Sequence, residues 1–152
     1  MGWLNLPDGA KVYLDANILI YIVEKHPHWA GHLHHMLRAA HHHELTLMSS
    51  HLSVLECLVI PTRQHNSQLI QAYHEYLFES DLVLLPITLD VIQEAVRLKA
   101  QYTALKTPDA IHLATAVLHN ANAVLTNDAD WSKVGSLRVI LLSQLQGGSY
   151  AG

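Results

Sequence analysis

The sequence is poor in cysteine and in charged residues, and its basic residues form no cluster. Cys57 is the single cysteine, which excludes an intramolecular disulfide and a cysteine-rich zinc site, and its apolar surroundings predict a buried thiol. Charged residues make up 14% of the chain and the net charge is −4, so no broad basic surface for nucleic acid is expected. A nucleic-acid partner would need metal ions to neutralise much of the local charge.

Long apolar runs are missing as well. No stretch reaches the roughly 20 apolar residues of a membrane-spanning helix, and residues 1–7 lack the basic flank and apolar core of a secretory signal. Half of the residues are hydrophobic, which excludes a disordered chain. We therefore expect a cytoplasmic protein without a membrane segment, with one domain over residues 1–152, a core at about 11–143 and a loose tail at 144–152.

Short apolar runs alternate with longer segments of helical period. This alternation predicts an α/β domain with a central, mainly parallel sheet of four to five strands. The predicted strands are 11–14, 45–48, 82–87, 123–125 and 138–142. The predicted helices are 29–43, 52–60, 67–79, 89–104 and 107–120, with Pro61 ending the second of them.

Two of the predicted helices have recognisable starts. Thr88 is a candidate N-cap, and Thr107-Pro108-Asp109 combines an N-cap threonine, a proline at the first helical position and a carboxylate at the positive end of the helix dipole. In the helix predicted at 89–104, the apolar residues that can fall on or beside one inward face are Leu89, Ile92, Val96, Leu98 and Tyr102.

Four carboxylates stand where apolar runs meet turns or helix starts: Asp15, Glu56, Asp109 and Asp128. Each has a simple structural explanation, since Asp15 can cap a helix, Glu56 can complete a capping box with Ser53, Asp109 can serve the helix dipole and Asp128 can be a turn residue. Asp15 and Asp128 also follow predicted strands, and ligands bind beyond the carboxyl ends of parallel strands. Taken together, the four acids favour one acidic site at that edge of the sheet.

The order and flanks of these acids resemble those of the PIN-domain nucleases. The matching features are Asp-x-Asn at 15–17, Glu56 in a later helix, the segment 108–114 around Asp109, and the segment 126–128 ending in Asp128. The resemblance extends over residues 12–142 and is greatest to the small VapC-type toxins of toxin–antitoxin pairs. It implies a PIN-like three-layer α/β/α fold and a metal-dependent ribonuclease. A housekeeping RNA-processing nuclease and a non-catalytic PIN-like binding module are the alternatives.

Clustered carboxylates repel one another, and a bound divalent cation removes that conflict. Oxygen ligands suit Mg²⁺ or Mn²⁺, which can activate water for phosphodiester hydrolysis. The resemblance implies that the catalytic and metal-binding residues are Asp15, Glu56, Asp109 and Asp128. Asn17 and Thr126 would orient these ligands or water, and Asp130 would be an auxiliary ligand.

The resemblance also implies partners, namely an RNA substrate, a protein antitoxin and a second copy of the chain in a homodimer. Arg63 and Lys106 are the cations expected to approach a phosphate, although single surface charges are more often solubilising groups. Trp131 matches the position of an aromatic residue in the family and is better explained by packing than by base stacking.

Histidine is unusually frequent, with 13 residues, many of them between 26 and 43. The pairs His28/His32 and His35/His42 have spacings that can align on one helix face and bind Zn²⁺ or Ni²⁺ adventitiously. Neutral polar residues on a solvated helix are the simpler explanation. His112, one helical turn after Asp109, is expected at the edge of the crevice without a catalytic role.

Overall fold

A computed structural model describes residues 3–145. Its five strands form one sheet in the order β3-β2-β1-β4-β5, and each neighbouring pair is parallel. The strands are β1 (Ala10–Leu14), β2 (Leu45–Ser50), β3 (Val83–Leu85), β4 (Ala123–Thr126) and β5 (Val139–Leu141). The predicted parallel α/β sheet is therefore confirmed.

The helices lie on both faces of this sheet. They are α1 (Ala16–Val23), α2 (Ala30–His41), α3 (His51–Arg63), α4 (Ser67–Glu79), α5 (Leu89–Gln101) and α6 (Thr107–Leu118). Side chains of β1 alternate between the faces: Val12 and Leu14 pack in a core cluster with residues of α1 to α4, whereas Tyr13 packs in a second cluster with α5 and α6. The architecture is three-layer α/β/α, as predicted.

The strand order creates a switch point beside β1. The chain passes from β1 to β2 and β3 on one side, then crosses to β4 and β5 on the other. Leu14 of β1 is in register with Leu125 of β4, so Asp15 and Thr126 follow these strands as neighbours at one edge. In open parallel sheets, the crevice outside such strand ends is where ligands bind.

Several predicted helix boundaries are wrong. Pro61 does not end α3, which continues to Arg63; a proline in the last turn removes a single backbone hydrogen bond, which a helix end tolerates better than its middle. The N-cap position of α6 is Lys106, so Thr107 and Pro108 are already helical. Thr88 is confirmed as the N-cap of α5, because its Oγ1 accepts a 3.2 Å hydrogen bond from the Val91 N–H.

The inward face predicted for α5 is right for Leu98, which is buried, and wrong for three other residues. The residues that pack inward are Val91, Ala95 and Leu98. Leu89, Ile92 and Val96, which were predicted on that face, are 71%, 38% and 64% exposed. Both rows have helical spacing, so the periodicity of the sequence does not decide between them. The row of Leu89, Ile92 and Val96 is left at the surface.

Other expectations concern burial and the chain end. Cys57 is buried with a free thiol, as predicted, and Trp131 is completely buried, which confirms its packing role. Of the predicted tail at 144–152, Gln144 belongs to a short 3₁₀ helix and Leu145 is buried, so these two residues are not loose. Residues 146–152 lie outside the described part of the chain. Among the helices of residues 3–145, none has the length and apolar character to cross a membrane.

Candidate acidic site at the carboxyl edge of the sheet

Asp15 is the first residue after β1. Its backbone N–H donates to the Leu125 carbonyl of β4 at 3.1 Å, and its backbone occupies the N-cap position of α1. Its carboxylate makes no capping hydrogen bond. Oδ2 instead accepts a 2.7 Å hydrogen bond from the buried hydroxyl of Thr126. The capping explanation for this side chain is therefore wrong.

The surroundings of Asp15 disfavour its charged form. The residue is only 8% exposed, and burial is the main reason that its pKa is raised. The hydroxyl of Thr126 and the nearby His112 lower that pKa, whereas Glu56 and Asp109 raise it further. A cation close to Asp15 would compensate both the burial and the repulsion.

Glu56 reaches the same region from α3. Its Oε1 lies 2.5 Å from Nε2 of His112 on α6, and a third of its side chain is exposed. The capping-box explanation is wrong, because Ser53 is a buried residue within α3 whose Oγ is 2.6 Å from that of Ser49. Glu56 is thus available to the crevice and connected to α6.

His112 is the residue beside this site whose contacts sequence reasoning missed. It is 1% exposed, and its Nδ1 lies 2.6 Å from the hydroxyl of Tyr13 on β1. Its ring packs near those of Tyr13 and Trp131, with centroids 5.8 Å apart in both cases. The one available signal was its spacing from Asp109, which placed it near the crevice but could not reveal partners on β1 and α3.

Asp109 occupies the first turn of α6 and is partly buried. Burial is the main reason that its pKa is raised, and the neighbouring Asp128 raises it further. The nearby indole of Trp131 lowers this pKa, as do His112 and Lys106. Asp109 is therefore electrostatically coupled to Asp15 on one side and to Asp128 on the other.

Asp128 follows β4 and has the turn role that its sequence suggested. Its Oδ1 accepts a 2.9 Å hydrogen bond from the Asp130 N–H and so caps a 3₁₀ helix at Ala129–Lys133. Its own N–H donates to Thr126 Oγ1 at 3.0 Å. The Thr126 hydroxyl therefore links Asp128 to Asp15, so the structural role of Asp128 also places it beside the other acids.

The remaining predicted residues are less closely tied to this site. Asp130 is exposed and forms a 3.1 Å ion pair with Lys133. Asn17 and Arg63 are exposed, and neither side chain has a hydrogen bond or ion pair within residues 3–145. Lys106 is exposed directly before α6 and lowers the pKa of Asp109, which places its charge within electrostatic range of the acids.

The acidic side chains have the right chemistry for a hard divalent cation but are not gathered tightly around one point. No group of three or more histidine, cysteine, aspartate or glutamate side chains among residues 3–145 is close enough to hold a metal ion. Carboxylate oxygens are nevertheless the ligands that Mg²⁺ and Mn²⁺ prefer, and Ser50 Oγ, at the carboxyl end of β2, is buried without a hydrogen-bond partner in this part of the chain. The oxygen atoms of these side chains fit Mg²⁺ or Mn²⁺ if the carboxylates rotate toward a common point.

The histidine-rich segment forms ring contacts away from the acids. His28 and His32 lie with ring centroids 5.6 Å apart, and His35 and His42 line one surface cavity with Arg38 and Glu44. Within residues 3–145, no three histidine, cysteine or acidic side chains come close enough here to hold a metal ion either. Binding of Zn²⁺ or Ni²⁺ by these pairs stays a prediction.

The fold and the acidic edge define a parallel α/β domain with a carboxylate-lined switch point. The sequence profile of the PIN domain matches residues 12–137, and the chain therefore belongs to the PIN domain family. A comparison with curated proteins gave no significant match.

Solved structures with similar folds come from several bacteria. A chain of VapBC2 from Rickettsia felis, bound to promoter DNA, has a TM-score of 0.70 and 17% identity over 86% of this chain and 98% of that one. A toxin–antitoxin complex from Klebsiella pneumoniae gives 0.65 and 26% over 86% and 97%. FitAcB from Neisseria gonorrhoeae gives 0.65 and 20% over 88% and 99%.

Proposed function

We propose that this protein is a metal-dependent endoribonuclease and the toxin of a toxin–antitoxin pair. The observation that carries the proposal is the placement of the acids at the switch point of the sheet, where the Thr126 hydroxyl bonds both the Asp15 carboxylate and the Asp128 backbone. Glu56 and Asp109 lie close enough to raise the pKa of Asp15. Membership of the PIN domain family and the similarity to a toxin–antitoxin complex at 26% identity support it. A site with several carboxylates and raised pKa values is typical of a functional site rather than of stabilising ion pairs.

In this proposal the four acids hold Mg²⁺ or Mn²⁺, directly or through water. When bound, the ion would lower the pKa of a water and neutralise charge on the scissile phosphodiester. The protein's own contribution is to orient the carboxylates: Thr126 holds Asp15 through its hydroxyl, and Asp128 is fixed by the 3₁₀ helix that it caps. Lys106 and Arg63 are proposed to contact the phosphates of the RNA.

The proposed antitoxin would cover α3 beside the acidic site. Leu55, Val59 and Ile60 of this helix are 62%, 42% and 54% exposed, and Leu55 adjoins Glu56 in the sequence. An apolar surface next to a functional site is typical of a protein interface. An antitoxin segment that also carried a cation would satisfy the acids while it excluded RNA.

A homodimer is proposed through a different surface. The exposed row Leu89, Ile92 and Val96 on α5 is large and apolar, and it belongs to the layer opposite α3. A two-fold dimer would bury this row against its own copy and leave the acidic edge accessible. We further propose one domain for the whole chain and a cytoplasmic location.

The nuclease is tested by incubating the purified protein with single-stranded and structured RNAs in Mg²⁺, Mn²⁺ or EDTA. We expect cleavage in either metal, loss of cleavage in EDTA, and a loss of at least about 100-fold in Asp15→Asn and Asp109→Asn. Asp81→Asn is the matched control, because Asp81 is an exposed acid on the amino side of β3 and should keep full activity. Cleavage that persists in EDTA or in both variants would contradict the mechanism.

A further inference from the structure

A continuous chain of side-chain hydrogen bonds connects the central strand to Glu56. It begins at the Tyr13 hydroxyl, passes through both nitrogens of His112 and ends at Glu56 Oε1, with distances of 2.6 Å and 2.5 Å. Tyr13 and His112 are 0% and 1% exposed. Water therefore does not compete for these bonds, and the three side chains, from β1, α6 and α3, are held as one unit.

The chemistry of the end group determines the direction of the hydrogen bond to Glu56. A carboxylate can only accept, so His112 Nε2 must carry the proton that is donated to Glu56. The other nitrogen, Nδ1, is bonded to the Tyr13 hydroxyl, which can act as donor or acceptor in this bond. Burial raises the pKa of Tyr13, which keeps that hydroxyl protonated and able to donate.

We propose that Tyr13 and His112 are positioning residues that orient the Glu56 carboxylate toward the acidic site. A glutamate on a helix has three side-chain torsions, and a third of the Glu56 side chain is exposed, so without a partner it would sample several rotamers. The buried imidazole restricts it to one. This inference rests on the proposed function, because the orientation of Glu56 matters only if Glu56 is a metal ligand there.

The same arrangement explains why His112 is more than a polar residue that has found partners in the core. A histidine whose only role was to complete hydrogen bonds in the core would not need to bond a carboxylate that is partly exposed. Here one ring nitrogen is bonded to Glu56 and the other to the Tyr13 hydroxyl, so the ring joins the carboxylate to the central strand. A protein group that orients a metal ligand by a hydrogen bond typically contributes about 10–100-fold to metal affinity or activity.

The first test is the tautomer of His112, measured by ¹⁵N NMR in metal-free protein. We expect a proton on Nε2, and in Tyr13→Phe a change in the Nδ1 shift that reports the lost hydrogen bond. An Nε2 that carries no proton, or unchanged shifts in both Tyr13→Phe and Glu56→Gln, would overturn the proposed chain of hydrogen bonds. This measurement needs neither RNA cleavage nor bound metal.

The second test compares His112→Gln with His112→Asn in full-length protein. The amide nitrogen of glutamine lies near the Nε2 position and can donate to Glu56, whereas that of asparagine lies near the Nδ1 position and cannot reach it. We expect His112→Asn to weaken Mn²⁺ binding, measured by electron paramagnetic resonance, and RNA cleavage by about 10–100-fold. His112→Gln should recover most of both.

Circular dichroism and thermal unfolding show whether the two variants fold equally. Equal losses of Mn²⁺ affinity in folded His112→Gln and His112→Asn, or no loss in either, would overturn the positioning role. If the wild-type protein neither binds Mn²⁺ nor cleaves RNA, the proposed function fails. If the wild type does both while His112→Gln and His112→Asn behave alike, only the positioning role fails.

Discussion

Asp15 and Asp128 illustrate how similar local sequences lead to different side-chain roles. Both residues follow a buried strand and precede a helical turn. Asp128 caps that turn with its carboxylate, whereas the Asp15 carboxylate leaves its own helix uncapped and bonds to Thr126. The difference matters because a carboxylate that caps a helix is stabilised by the helix N–H groups, whereas a buried carboxylate without a cap keeps more of the free-energy cost of its burial.

Replacing Asp15 by asparagine should stabilise the metal-free protein while it abolishes activity. Burial raises the pKa of Asp15 in the folded state, so the group favours folding below its unfolded pKa and opposes folding once the pH rises above its folded pKa. Asp15→Asn should therefore raise Tm at pH 7 in EDTA, by roughly 2–4 °C for each kcal/mol gained. The gain should shrink as the pH falls through the pKa of Asp15.

Thermal unfolding of both proteins between pH 3 and pH 8 checks this sign. Asp81→Asn, the exposed control, should show little change at any pH. A Tm for Asp15→Asn below that of the wild type at pH 7 would mean that the carboxylate stabilises the fold, and the electrostatic argument for a cation site would lose its basis.

The contribution of Thr126 to the stability of the fold should come from its hydroxyl rather than from its volume. That hydroxyl donates to Asp15 and accepts from the Asp128 N–H. Thr126→Val preserves the shape but leaves both groups without this partner, at a cost of about 1–3 kcal/mol. Urea unfolding should show that loss for Thr126→Val and a clearly smaller loss for Thr126→Ser; equal losses would show that the hydroxyl is not the important group.

At the scale of elements, α5 shows the limit of hydrophobic periodicity. Its sequence has two apolar rows of helical spacing, and the row of Leu89, Ile92 and Val96 lies at the surface. The row of Val91, Ala95 and Leu98 packs inward instead. Because the two rows are similarly apolar, hydrophobicity alone does not select the buried face.

A charged residue introduced into the exposed row on α5 tests the proposed dimer. Val96→Glu should convert the proposed dimer into a monomer, because dimerisation would place two carboxylates in an apolar interface. The stability of the monomer should stay within about 0.5 kcal/mol, since Val96 is a surface position. Light scattering after size exclusion measures the mass of each variant.

Val59→Glu on α3 is the matched control for the dimer, because Val59 is an exposed apolar residue of the other helical layer. It should leave the mass unchanged. A monomeric wild type, or a Val96→Glu protein that remains a dimer, would exclude α5 as the interface.

At the scale of the whole molecule, the net charge is negative, and several of the acidic side chains lie in one region. The net charge is −4, and four acids meet at one edge of the sheet without enough nearby basic groups to lower the pKa values of Asp15 and Asp109 to normal. RNA, itself negative, would be repelled from this edge. In the proposed function, a bound divalent cation would offset both the charge of these acids and the repulsion of RNA.

Metal binding to the folded state should stabilise the whole protein. At a metal concentration 100 times the dissociation constant, the gain would be about 2.7 kcal/mol. We expect millimolar Mg²⁺ or Mn²⁺ to raise the Tm of the wild type but not that of the doubly substituted Asp15→Asn/Asp109→Asn protein. Differential scanning calorimetry with Ca²⁺ and with K⁺ at equal ionic strength separates specific binding from screening. An equal shift in both proteins would argue against a metal site at these acids.

The sequence by itself determined the alternation of strands and helices, the burial of Cys57 and the order of the four acids, because each follows from local periodicity and from residues close in the chain. Tertiary structure decided which side chains meet. Asp15 and Thr126 are 111 residues apart, and Tyr13 and His112 are 99 apart. No local pattern records such pairs, since they depend on strand order and helix packing, and for that reason the contacts of His112 with Tyr13 and Glu56 form only when β1, α3 and α6 are brought together.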